Sequence, residues 1–143
     1  MEAKSKKHIC ILIHGFSFKK NSPSLTDNLI PFLENYGFTV DAVNYHYKNR
    51  LHANRHNKEL AEYVKDRIRE YKLAGHKVCV VSYSNGCTIA HLASKQASSL
   101  EAPELNVYIS PALRTSTELG KHVRACLIYY SPYDKPLQHC RGS

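Results

Sequence analysis

Short, wholly apolar runs alternate along this chain with stretches in which apolar residues recur every three or four positions. Ile9, Cys10, Ile11, Leu12 and Ile13 form a continuous apolar run, as expected of a parallel strand covered on both faces. A loop with Gly15, Asn21, Ser22 and Pro23 follows, and Leu25, Leu29, Phe32, Leu33 and Tyr36 then recur at helical spacing. Ser24 is placed to cap that helix, Pro31 predicts a kink or a late start, and Gly37 a stop. Residues 38–43 alternate apolar side chains with Thr39 and Asp41, which predicts a less buried strand at a sheet edge. Leu60, Ala61, Val64, Ile68 and Tyr71 mark one face of a second helix ended by Gly75.

Residues 78–81 are the most apolar strand-like run, and so the expected centre of the sheet. A third helix is expected through Ile89, Ala90, Leu92 and Ala93, and further strands at residues 105–109 and 126–130. Between those two strands a helix is expected within RTSTELGKHVR. The alternation predicts an α/β fold: an open, mostly parallel sheet of about five strands with helices on both faces. We read residues 1–143 as a single domain.

Composition adds little to the fold but bears on partners. Apolar residues make up 43% of the chain, and no run approaches the roughly 18 residues of a membrane helix. With no signal-like leader, the expected location is cytoplasmic. The five cysteines are odd in number and lack a C-x-x-C pair, which argues for reduced thiols and against a zinc site. The net charge of +8 is concentrated at Lys4, Lys6 and Lys7 and in YHYKNRLHANRHNK, residues 45–58. Such clusters attract nucleic acid, anionic lipid or acidic substrates, and equally occur as solvated surface.

Ligands of open parallel sheets bind beyond the carboxyl ends of the strands. Four features fall there: His14-Gly15-Phe16, SYSNG at residues 82–86, Ser110-Pro111-Ala112, and SPYDKP with Asp134. A serine in a sharp strand-to-helix turn is lifted out of the sheet and stands at a helix N-terminus that favours developing negative charge. Small residues two before and two after it, here Ser82 and Gly86, let strand and helix approach. Each residue also has a plainer reading: Ser84 and Asp134 as turn-formers, His14 as a loop histidine.

The ordered set resembles the α/β-hydrolase superfamily, in particular small lipase- and esterase-like members. SYSNG departs from G-x-S-x-G at Ser82. The resemblance implies Ser84 as the nucleophile and Asp134 as the acid that orients a histidine. It also implies backbone N–H groups of Phe16 and Asn85 as the oxyanion hole, with His14 and Gly15 shaping that loop against the substrate. No metal or organic cofactor is implied.

The family's histidine follows a further strand, whereas nine residues follow Asp134 here. Three readings stand: a chain that stops short of the family's usual end, His139 as the base from a short tail, or the fold without the chemistry. His46, His52 and His56 lie on the far side of the oxyanion strand, where substrate contact or solvation is expected. The function expected is hydrolysis of a small or lipid-like ester. An inert binding module and a basic nucleic-acid-binding protein are the alternatives, and an exposed sheet edge leaves a homodimer open.

Overall fold

The structure is a computed structural model that describes residues 5–17, 23–113 and 117–130. Five strands, β1 (His8–Ile13), β2 (Phe38–Val43), β3 (Lys77–Tyr83), β4 (Leu105–Ile109) and β5 (Cys126–Tyr129), form one sheet in the order β2-β1-β3-β4-β5. Every neighbouring pair is parallel, and β3 is central. Ile9, Cys10, Ile11, Leu12 and Ile13 of β1 are all buried, the isoleucines and the leucine each worth about 1.5–3 kcal/mol. The period-two strand β2 is at one edge, as its pattern requires.

Side-chain alternation divides the core. Ile9, Ile11 and Ile13 share a face with Val78, Val80 and Tyr108, packed beneath α2 (Ala53–Leu73) and α3 (Asn85–Lys95). Cys10, Leu12 and Val81 face the other way, against Leu29, Ile30 and Leu33 at α1 (Ile30–Asn35). The sheet therefore carries helices on both faces. Pro31 produces the late start: a 3₁₀ turn (Leu25–Leu29) precedes α1, with proline in its first turn. Ser24 caps that 3₁₀ turn with its hydroxyl, while the Asp27 carboxylate accepts the Ser24 N–H at 2.8 Å.

Two expectations are corrected. α2 begins at Ala53, within the basic stretch read as a loop, and places His56 on the helix. Ala53, Asn57, Ala61, Val64 and Ile68 form its buried stripe; polar Asn57 interrupts the apolar period and hid the first two turns. Between β4 and β5 the described residues form no helix. That segment lacks amphipathic periodicity, and Gly120 lies against the end of α3, where a Cβ would meet the Ser94 carbonyl oxygen at 2.1 Å.

α2 is tied to the edge strand by charge as well as packing. The Arg67 guanidinium donates to Asp41 Oδ2 from Nε at 3.0 Å and from an Nη at 2.8 Å, and the Tyr71 hydroxyl donates to the same oxygen at 2.8 Å. Burial, then Asp41, pushes the Tyr71 hydroxyl up to about 12.

Candidate active site at the carboxyl edge of the sheet

Ser84 stands between the end of β3 and the first residue of α3, with φ 51° and ψ −117°. A Cβ-bearing residue rarely occupies this region, and such strain typically costs about 1–3 kcal/mol. The turn is held on both sides. The Ser84 N–H donates to the Ile109 carbonyl at 2.9 Å, and its carbonyl accepts from Cys87 N–H at 3.0 Å. Its side chain is half-buried and makes no capping bond to α3, so the hydroxyl is not consumed by the helix.

The glycine after the serine is required by closeness. A Cβ on Gly86 would lie 2.5 Å from the carbonyl oxygens of both Ile13 and His14. The departure at Ser82 is accommodated differently: this residue is fully buried, and its hydroxyl donates to the Val107 carbonyl on β4 at 3.3 Å. Gly15 passes beside Ser84, where an added Cβ would stand 3.3 Å from Ser84 Cβ. Ser110-Pro111-Ala112 arrives from β4, with Ala112 N–H 3.4 Å from the Ser84 carbonyl. Ser110 also has positive φ, 46°. Three of the four post-strand features thus meet around Ser84. The fourth, with Asp134, lies outside the described residues, as does His139.

His14 has both ring nitrogens engaged. Nδ1 is 2.6 Å from the Gly15 carbonyl, and Nε2 accepts the Tyr45 N–H at 3.3 Å. These partners fix the proton on Nδ1. The ring also stacks on Tyr45, with centroids 4.1 Å apart. His14 thus fastens the chain after β1 to Tyr45 on the chain after β2.

A feature absent from the sequence reading lies behind this loop. Asn85, the residue after Ser84, is buried, and its amide joins a closed set of hydrogen bonds with Tyr45, Tyr47 and Asn57. Asn85 Nδ2 donates to the Tyr47 hydroxyl at 2.6 Å, and Asn57 Nδ2 donates to Asn85 Oδ1 at 3.1 Å. Tyr47 in turn donates to Asn57 Oδ1. The Tyr45 hydroxyl donates to the carbonyls of His14 and Gly15 (2.6 and 2.9 Å) and lies 3.3 Å from Asn85 Nδ2. Burial raises both tyrosine pKa values, so the hydroxyls remain proton donors. The basic stretch is therefore anchored into the serine turn. Its signal in the sequence was Asn57, a polar residue in phase with the α2 core stripe.

The remaining candidates are placed as follows. Phe16 is largely exposed, its ring 5.1 Å from that of Tyr47. Cys10, Cys79, Cys87 and Cys126 are free thiols. Among the described residues no group of three or more His, Cys, Asp or Glu side chains could hold a metal ion, and no helix is long and apolar enough to cross a membrane.

Comparison with known proteins places this geometry. A crystal structure of a putative α/β-superfamily hydrolase from Xanthomonas campestris pv. campestris superposes with a TM-score of 0.61 at 20% identity, covering 87% of this chain and 71% of that one. The Francisella virulence factor BioJ gives 0.50 at 14% identity over 81% of this chain; the match spans 40% of BioJ. Both are likenesses of fold. No curated protein matches the sequence. A family profile described as BD-FAE covers residues 1–140. With that match over nearly its whole length, and with its five parallel strands and serine turn, the chain belongs to the BD-FAE family, of the α/β-hydrolase type.

Proposed function

We propose that the protein is a serine hydrolase of carboxylic esters or related acyl substrates, with Ser84 as nucleophile. The observation that carries this reading is the strained backbone of Ser84 at the β3–α3 junction. Such strain persists only where the surroundings enforce it, and here Gly15, Gly86 and the β4 loop crowd the turn. In this mechanism Ser84 Oγ attacks the acyl carbon and loses its proton to a histidine. The carbonyl oxygen gains negative charge beside the N-terminus of α3, where the N–H groups of Asn85 and Phe16 serve as donors. Collapse expels the alcohol, which takes the proton, and water then releases the acyl group by the same steps. Asp134 and His139 are the acid and base this reading assigns. His14 is unsuited to the base because Nε2 already accepts a backbone proton.

The test is labelling of the purified chain by a fluorophosphonate probe beside Ser84→Ala and His139→Ala. Labelling that disappears in Ser84→Ala, with unchanged circular dichroism, is the expected result. Equal labelling of Ser84→Ala would refute the nucleophile. A folded wild-type chain that takes no label would instead favour a binding module on this scaffold.

A further inference from the structure

Beside the oxyanion loop lies a cleft of about 490 Å³, bordered by Tyr45, Tyr47, Lys48, His52, Arg55 and His56. Its floor is aromatic. The hydroxyls of Tyr45 and Tyr47 are committed to the Asn57–Asn85 set, which leaves ring surface as the lining. Its rim is cationic: Lys48 and Arg55 are exposed, and three histidines stand among the lining residues. Glu59 is the single carboxylate of the described lining, and Arg55 and His56 already engage it at 3.3 and 3.6 Å. The first turn of the 21-residue helix α2 carries no acidic residue. Basic side chains there stand at the positive end of the helix, the unfavourable arrangement unless an anion joins them.

Two of its lining residues, Tyr45 and Tyr47, are hydrogen-bonded to Asn85, the residue after Ser84. From Phe16 on the oxyanion loop to Tyr47 is one ring-to-ring step of 5.1 Å, and from Tyr47 to His56 another of 5.4 Å. An extended apolar chain lying across these rings would join an acyl carbon at Ser84 to an acidic group at the rim.

We propose that this cleft is an oxyanion-binding subsite, which receives the carboxylate or phosphate of an acidic ester whose acyl carbon sits at Ser84. The second half rests on the nucleophile assigned above; the first does not. Lys48 and Arg55 supply charge-assisted bonds to the anion, and the Tyr47 ring supports the chain between the two groups.

The experiment has a binding arm and a turnover arm. Inorganic phosphate and, separately, acetate are titrated by calorimetry at low ionic strength into wild type, Ser84→Ala and Lys48→Ala/Arg55→Ala. Saturable binding of either ion, unchanged in Ser84→Ala and weakened about tenfold in the double variant, is expected. Which ion binds more tightly assigns the group. Arg55 and Lys48 are solvent-exposed, so the double variant keeps its core. In turnover, mono(4-nitrophenyl) suberate is compared with 4-nitrophenyl octanoate. The wild-type preference for the suberate, expressed as kcat/KM, should fall about tenfold in the double variant. No saturable binding of either ion, or a double variant that binds as wild type does, overturns the subsite. Anion binding without turnover of either ester overturns Ser84 as nucleophile and leaves the subsite standing.

Discussion

Replacing Asn57 by alanine should be among the most destabilising changes on α2, although the residue is polar and far from Ser84 in sequence. Its amide donates to Asn85 Oδ1 and accepts from both the Tyr47 hydroxyl and Asn85 Nδ2. Truncation strips Asn85 Oδ1 of that donor and the Tyr47 hydroxyl of that acceptor. A buried polar group left unsatisfied costs about 1–3 kcal/mol. With two such groups and partial relaxation we expect a loss of about 2–4 kcal/mol, a large share of the roughly 5–15 kcal/mol that holds a domain together. Tyr47→Phe should cost less, about 1–2 kcal/mol, because Asn57 Oδ1 still faces Asn85 Nδ2 at 3.2 Å. The measurement is urea unfolding followed by circular dichroism. The discriminating variant is Asn57→Leu, which restores volume without the hydrogen bonds and should remain as unstable as Asn57→Ala. Wild-type stability in Asn57→Leu would show that the position requires only bulk, and the reasoning would fail.

Three further outcomes are open to measurement. Ser84→Gly should raise the melting temperature, because relief of about 1–3 kcal/mol of strain exceeds the 0.5–1 kcal/mol or so of added chain entropy that glycine brings; an unchanged or lower value would contradict the strain. Asp41→Ala should cost about 1–2 kcal/mol in urea unfolding, less than a fully buried charge pair, since Arg67 is partly solvated and keeps Glu70 at 3.1 Å. His91 supplies a pH effect. Burial, then the nearby Lys95, lowers its pKa, so the unfolded chain takes up the proton first. As pH falls from about 6.5 towards the folded value, stability should drop, then level off below it. The slope should be shallower in His91→Gln than in wild type, and equal slopes would exclude His91 as its source.

Strands and topology were legible because burial on both faces leaves uninterrupted runs such as residues 9–13, and two-fold alternation marks the edge strand β2. Helix α1 was legible because proline and the Ser24 cap are local signals. The beginning of α2 was not, since Asn57 occupies a core position for reasons that exist only in three dimensions: its partners are 10 and 28 residues away. The same holds for the site. Ser84, Gly86 and His14-Gly15 could be read as a set, because an elbow is a local conformation with a local sequence. The Tyr45–Tyr47–Asn57–Asn85 closure could not, because each residue looks unremarkable beside its own neighbours. No pattern joins the basic stretch to the serine; only the crossing of β1 by the loop after β2 does.

The pairing of Cys10 with Cys79 at the centre of the sheet has a practical consequence. The two residues are register partners on β1 and β3, and their side chains are hydrogen-bonded, which holds the proton on Cys10 and favours the thiolate at Cys79. Cys10 is fully buried, so a thiol reagent reaches it only when the middle of the sheet opens. The modification rate of Cys10 in native buffer, resolved by peptide mass mapping, therefore reports the frequency of that opening. The molecule carries an intrinsic clock for its most protected region, with no label, tryptophan or engineered probe to add.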